Sequence, residues 1–269
     1  WETPTWKHAD LPASTDKMRA LRWRHYRRKL TRSCSEFLCS RTSTRFQVWR
    51  RDCDSSSLHR ALSDPDQQMA KGEALKRGNT ATVASVEIDG SPTIIKRYNI
   101  KHWRHRLSRC WRPSRGWHSW HNAHFLRFNG LPTPRPIALI EERQGHLRGR
   151  AFFFCEQASG EDLKTHLEAA DSTVRRKMLS SLGDIITQYW RAGISHGDMK
   201  ADNFIVSASG LTIIDLDPMA HHRCERSLNR ALRKDVGRFL RNFDGSLRET
   251  IADELAPHLP PALVTQARP

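Results

Sequence analysis

Apolar and polar positions alternate along this chain in two distinct periods. From Asp171 to Ala192 the apolar residues Val174, Met178, Leu179, Leu182, Ile185, Ile186 and Tyr189 recur at intervals of three and four. That spacing predicts an amphipathic helix stopped by Gly193. Shorter apolar runs read as strands: Val83–Ile88 and Thr93–Tyr98, joined by an Asp89-Gly90 turn, then Phe152–Cys155, then Leu211–Ile214. Asp235 is expected to start a later helix, either as its cap or as a buried carboxylate that bonds neighbouring backbone. The first sixty-odd residues show no regular strand pattern. Their basic run Met18–Leu30 is expected to form a surface helix.

Between the long helix and the last apolar run stands His196-Gly197-Asp198-Met199-Lys200-Ala201-Asp202-Asn203, and Asp215-Leu216-Asp217 follows. Phosphoryl transfer needs a carboxylate that orients the attacking hydroxyl, a cation on the moving group and oxygen ligands for a metal. Asp198 can be the carboxylate and Lys200 the cation, with Asn203 and Asp215 as metal ligands. A strand Leu211–Ile214 would present Asp215 toward the loop that carries Asp198. Upstream, Lys96 lies in the predicted strand Thr93–Tyr98, and the resemblance of these motifs to protein-kinase-like enzymes implies that it contacts the nucleotide phosphates. Gly78 belongs to the preceding turn, Lys76–Val83, which reads equally well as a phosphate-covering loop or an ordinary hairpin.

These motifs resemble the protein-kinase-like superfamily, and within it the lipopolysaccharide core kinases that phosphorylate Kdo or heptose. His-Gly-Asp stands where protein kinases carry His-Arg-Asp, Lys200 where aminoglycoside kinases carry His, and Asp-Leu-Asp where protein kinases carry Asp-Phe-Gly. The resemblance runs from about Lys71 to about Phe243. It implies an α+β bilobal kinase-like fold, with a small β-rich N-lobe over residues 71–157 and a shortened, mainly helical C-lobe over 158–269. Residues 1–70 form a basic N-terminal extension outside it. It also implies ATP and Mg2+ as cofactors, and a hinge after Phe154 where the backbone of Glu156 to Ala158 holds the adenine edge. One departure stands out. No Asp or Glu occurs between Asp89 and Glu141, so the glutamate that pairs with the strand lysine in kinases is missing, and Asn122 takes its expected place.

Composition adds a surface. The 269 residues carry a formal net charge of +16. Residues 90–140 contribute Lys96, Arg97, Lys101, Arg104, Arg106, Arg109, Arg112, Arg115, Arg127 and Arg135 with no acid after Gly90 and before Glu141, interleaved with Trp103, Trp111, Trp117 and Trp120. Such a stretch suits an anionic inner-membrane surface or a phosphorylated glycolipid, with nucleic acid as the weaker partner. A solvated helix face with core tryptophans is the alternative. No run spans a bilayer and no signal segment is evident, so the protein is expected in the cytoplasm, peripheral to the inner membrane. The six cysteines show no metal-ligand spacing and are expected to be reduced thiols. About twenty residues from Asp215 to Asp235 leave little room for peptide docking, which favours a small or lipid-linked hydroxyl. The expected activity is ATP-dependent phosphorylation of a heptose or Kdo hydroxyl in the lipopolysaccharide core. The rivals are a RIO-like protein kinase and a catalytically weak nucleotide-binding scaffold.

Overall fold

The computed structural model describes residues 13–99, 113–144 and 147–266. A seven-stranded antiparallel sheet forms one lobe, in the order β1-β2-β6-β7-β5-β4-β3. Its strands are β1 (Phe37–Arg41), β2 (Arg45–Arg50), β3 (Glu73–Arg77), β4 (Ala81–Ile88), β5 (Ser91–Tyr98), β6 (Pro136–Gln144) and β7 (Leu147–Glu156). Strand β7 shows why the sheet is covered on both faces. Phe152 and Phe154 pack with Leu58, Leu62 and Met69 from α2 (Ser56–Ser63) and α3 (Pro65–Lys71). Phe153 points the other way and joins Trp120 and Ala123 of α4 (Arg115–Phe128) in the second core. The alternation is the period of two that a strand imposes. Each of these fully buried aromatic or aliphatic side chains contributes about 1.5–3 kcal/mol.

The residues before Lys71 differ from expectation. The basic run does form a helix, α1 (Ala13–Lys29), but two strands follow it, and β2 pairs with β6 from Arg45↔Glu142 to Trp49↔Ala138. Phe37, Phe46 and Val48 are wholly buried. Their alternation is hard to see in sequence because Ser, Gln and Arg occupy the outward positions of strands only five and six residues long. The segment therefore completes the sheet and its cover.

The other lobe is mainly helical. It contains α5 (Leu163–Ala169), α6 (Ser172–Ala192), α7 (Glu225–Leu240) and α8 (Gly245–Leu255). Helix α6 matches the predicted span. The Asp171 carboxylate accepts the amides of Thr173 and Val174 at 2.8 and 2.9 Å, and Gly193 ends the helix at φ +67°, a left-handed conformation that favours glycine. Val174 is 39% exposed, so the apolar stripe begins a turn later. Short strands complete the lobe: β8 (Glu161–Asp162), β9 (Ile194–Ser195), the hairpin β10 (Phe204–Ser207) and β11 (Gly210–Ile213), and β12 (Ala220–His221). No helix among the described residues is long and apolar enough to cross a membrane.

Candidate active site

The loop from His196 to Asn203 is fixed from beneath. Asp235 is not at a helix start. It lies inside α7, is 3% exposed, and accepts the amides of His196 at 2.7 Å and Gly197 at 3.0 and 3.1 Å. The capping alternative is thereby removed. Burial raises the Asp235 pKa, and the amide hydrogen bonds partly offset that rise. Gly197 has φ +81°, and a Cβ there would lie 2.4 Å from the Pro218 carbonyl oxygen, so both conformation and space require glycine. The His196 ring donates from Nε2 to the Ile214 carbonyl at 3.1 Å, which sets its tautomer, and burial keeps the ring neutral.

The hairpin β10–β11 then brings the two proposed metal ligands together. Phe204 pairs with Ile213, and the Ile214 amide donates to the Asn203 carbonyl at 2.9 Å, so Asn203 and Asp215 sit side by side at its open end. The Asn203 side-chain amide donates to the Asp198 carbonyl oxygen at 2.8 Å, which turns Oδ1 outward without a partner among the described residues. Asp215 has φ +59°, a strained conformation for a non-glycine residue that aims its carboxylate across the cleft. No group of three or more His, Cys, Asp or Glu among the described residues could hold a metal by itself. Two hard oxygen donors at one end of the hairpin fit Mg2+, which keeps water and substrate oxygens as its other ligands.

Lys96 reaches this end of the hairpin from β5. Its Nζ donates to the Asp215 carboxylate and, at 3.0 Å, to Asp217. Burial pulls the Lys96 pKa down, but the surrounding Tyr98, Asp217 and Asp215 raise it further and keep the ammonium charged. For Asp215, burial raises the pKa and the Lys96 charge lowers it more, to about 2. The expected Lys96–Asn122 contact is absent. Asn122, 2% exposed, instead donates to the carbonyls of Leu216 at 2.8 Å and Met219 at 3.4 Å, and so ties α4 to the segment after Asp215. The carboxylate beside Lys96 that α4 lacks is present at Asp217. Its side chain is 4% exposed and also accepts from Arg115 at 2.6 Å. That pairing spans more than a hundred positions of chain, and only the repeated carboxylate of Asp-Leu-Asp hinted at it.

On the opposite side Asp198 accepts from Arg238 of α7 and faces Lys200 at 3.4 Å. Burial raises its pKa, while the hydrogen bond from Arg238 and the charge of Lys200 lower it further, so the carboxylate is ionised. Arg238 was not anticipated, because it lies 40 residues away from Asp198.

Between the lobes is a cavity of about 330 Å3 lined by Val83, Lys96, Phe153, Gln157, Ala158 and Asp215. The expected hinge is only partly available. The amides of Glu156 and Gln157 are committed to the carbonyls of Arg135 at 2.9 Å and Pro92 at 3.0 Å, which leaves that of Ala158 without a partner among the described residues. The Glu156 side chain is half exposed and faces Arg135 at 3.5 Å. Gly78 lies outside the cavity lining, in the β3–β4 turn, where its amide donates to Ala81 at 3.1 Å. Arg115 connects that turn to the site by donating to the Thr80 carbonyl at 3.4 Å.

Residues 65–256 match the lipopolysaccharide kinase (Kdo/WaaP) family. The chain belongs to that family. It is a kinase, a sugar phosphotransferase of lipopolysaccharide core biosynthesis, and the RIO-like alternative is set aside. Among its relatives, the 3-deoxy-D-manno-octulosonic acid kinase of Vibrio vulnificus (strain YJ016) is 28% identical over 179 residues, covering 60% of this chain and 71% of that one. The enzyme of the same name from Stenotrophomonas maltophilia (strain K279a) is 35% identical over 115 residues, 40% of this chain and 45% of its own length. The solved structure of WaaP in complex with acyl carrier protein aligns over 77% of this chain and 88% of that one, at a TM-score of 0.52 and 18% identity. That likeness shows the α+β kinase-like fold.

The cationic surface expected from residues 90–140 is not present where it can be described. Lys101, Arg104, Arg106, Arg109, Arg112, Trp103 and Trp111 lie outside the described residues. Arg97, Arg115 and Arg135 are paired with Asp66, Asp217 and Asp52, and Trp120 is buried. The described cysteines Cys34, Cys39, Cys53, Cys155 and Cys224 are free thiols, and burial pushes that of Cys155 up to about 12.

Proposed function

We propose that this kinase transfers the γ-phosphoryl group of ATP to a hydroxyl of a Kdo residue in the lipopolysaccharide inner core, at the cytoplasmic face of the inner membrane. The observation that carries the reading is the open end of the β10–β11 hairpin, where Asn203 and Asp215 meet beside Asp198 and across from Lys96. The relatives named for an acid sugar favour Kdo over heptose.

In this reading Asp198 orients the acceptor hydroxyl and takes its proton as the oxygen attacks the γ-phosphorus. The bond from that phosphorus to the β–γ bridging oxygen breaks, and ADP leaves with the electron pair. Lys200 neutralises charge on the moving group. Asn203 and Asp215 would hold Mg2+, which would supply charge neutralisation on the nucleotide phosphates. Lys96 contacts the same phosphates, with Asp217 keeping it charged and in place. Arg115 in turn fixes Asp217 against the Gly78–Thr80 turn. Ala158 offers its amide to the base, with the backbone beside Glu156 shaping that edge. The domain reading follows, with residues up to 157 forming the nucleotide-covering lobe and 158–269 the acceptor lobe.

The test is transfer of labelled phosphate from magnesium ATP to purified Kdo-containing and heptose-containing core acceptors, comparing wild type with Asp215→Ala. Transfer to the Kdo acceptor that disappears in Asp215→Ala is expected. Transfer only to heptose would move the acceptor assignment, and undiminished transfer by Asp215→Ala would overturn the metal site.

A further inference from the structure

A cluster of uncompensated positive charge stands on the sheet lobe, at a cavity that shares no lining residue with the cavity between the lobes. A cavity of about 550 Å3 lies between α1 and α4 and is bordered by Arg24, Arg27, Arg28, Arg41, Arg143 and Arg148. Arg143 and Arg148 face the fully buried Glu141 at 3.0 and 3.6 Å, so its charge is already shared. Arg24, Arg27 and Arg28 have no hydrogen-bond or ion-pair partner among the described residues, and Arg41 has only the Phe46 ring, 5.2 Å from its guanidinium. Four cations converging on one concavity without a carboxylate repel each other unless an anion sits among them. The floor is preformed. Trp120 is wholly buried, with its indole N–H donating to the Leu30 carbonyl at 3.1 Å, and Arg148 lies over the Trp117 ring. His121 lines the same cavity with a buried Nε2 that has no partner.

The size and the fork-shaped donors select the ligand chemistry. Guanidinium groups bind phosphate through paired N–H donors, and a dianionic phosphate monoester uses several at once. The rest of α1 indicates what carries the phosphate. Trp23, Tyr26 and Leu30 turn toward the protein core. On the outward face stand Met18 and Leu21, 57% and 54% exposed, with Arg24 and Arg28 one and two turns further on. Exposed apolar side chains beside arginines suit the boundary between headgroups and acyl chains, whereas a nucleic acid surface gives them nothing to bury against.

We propose that this arginine-lined cleft is a docking site for a phosphate monoester headgroup on a lipid or glycolipid, with Met18 and Leu21 entering the bilayer interface beside it. The site deepens the membrane part of the proposed function, but its test reads binding without turnover. Failure of the sugar-kinase assay therefore leaves it standing, and its own failure leaves the kinase reading intact.

The experiment is co-sedimentation of the full chain with phosphatidylcholine vesicles containing either phosphatidic acid, a lipid phosphate monoester, or phosphatidylglycerol, a diester. Wild type is expected to prefer phosphatidic acid. Arg24→Gln/Arg27→Gln/Arg28→Gln, a change confined to unpaired surface residues, is expected to weaken that binding by about a hundredfold, from about 1 kcal/mol per cation. Glycerol 3-phosphate is expected to displace wild type where sodium chloride of equal ionic strength does not. Leu21→Ser is expected to weaken vesicle binding while leaving glycerol 3-phosphate binding unchanged, which separates a lipid-borne phosphate from a soluble one. Equal binding to the two vesicle types, or an unaffected triple variant, would overturn the phosphate site. An unaffected Leu21→Ser would overturn its membrane role, and tighter binding to a short DNA duplex than to either vesicle would replace the proposal with a nucleic-acid surface.

Discussion

The nucleotide wall and the acceptor wall of the cleft are held differently. On the first, the Asp217 side chain is 4% exposed and bonded to both Lys96 and Arg115. On the second, Asp198 is 24% exposed and its cations Arg238 and Lys200 are 41% and 47% exposed. Buried pairs are only slightly screened and keep one geometry, while exposed pairs exchange partners readily. In the proposed reading the Lys96–Asp217 pair, 15% and 4% exposed, is therefore preorganised on the nucleotide side. In that reading the acceptor side carries its cations where an anionic sugar can take them over from Asp198.

Breaking the acceptor wall at its centre has the largest expected effect. Asp198→Asn removes the proton acceptor and should lower kcat by about 10²–10⁴, read as labelled phosphate transferred, while ATP binding by calorimetry changes little. On the nucleotide wall, Asn122→Glu tests the replacement of the missing glutamate. If Asp217 has taken that role, a carboxylate at position 122 restores nothing. It would instead face the Leu216 and Met219 carbonyls with no proton to donate, costing about 3 kcal/mol of stability in urea denaturation. A gain in kcat/KM for ATP would argue that Lys96 still needs a partner on α4.

Acid titration sharpens the comparison at about 2 kcal/mol. The folded Asp215 carboxyl lies near 2, below its ordinary value, so its contribution is present above about pH 4 and is lost as the pH falls toward 2. Asp215→Asn should flatten that limb of the stability curve. The smallest effect is expected from Arg238→Gln. An ion pair this exposed contributes about 0–1 kcal/mol, so melting should barely shift while the KM for the sugar acceptor rises and that for ATP stays constant. A change in the KM for ATP would place Arg238 on the wrong wall.

The same division explains what could be read from the sequence. The gathering of Lys96, Asp198, Asn203 and Asp215 at one cleft was legible because their positions are set by local spacing, within one loop, one hairpin or one strand. Helix α6 was legible because Asp171 and Gly193 close a clean helical stripe. Asp217, Arg115 and Arg238 act through contacts between residues 40 to 121 positions apart, which no local pattern encodes. Asn122 was placed in the right helix and assigned the wrong partner, since its side chain satisfies backbone carbonyls that appear only once α4 packs on the Asp-Leu-Asp segment. Strands β1 and β2 were missed because their outward Ser, Gln and Arg mask a short buried alternation. The cationic surface was expected in residues 90–140; of the described arginines there, Arg97, Arg115 and Arg135 have acidic partners and Arg127 donates to the Thr133 carbonyl, while Arg24, Arg27 and Arg28 of α1 have no partner among the described residues.

The most direct test of the account is a double-mutant cycle on Lys96→Met and Asp217→Asn, measured as kcat and KM for ATP. If Asp217 acts by positioning Lys96, Asp217→Asn raises the KM for ATP in the wild-type background, and the double variant is no worse than Lys96→Met alone. Effects that simply add would show Asp217 acting independently of Lys96 and would contradict the substitution of Asp217 for the missing glutamate.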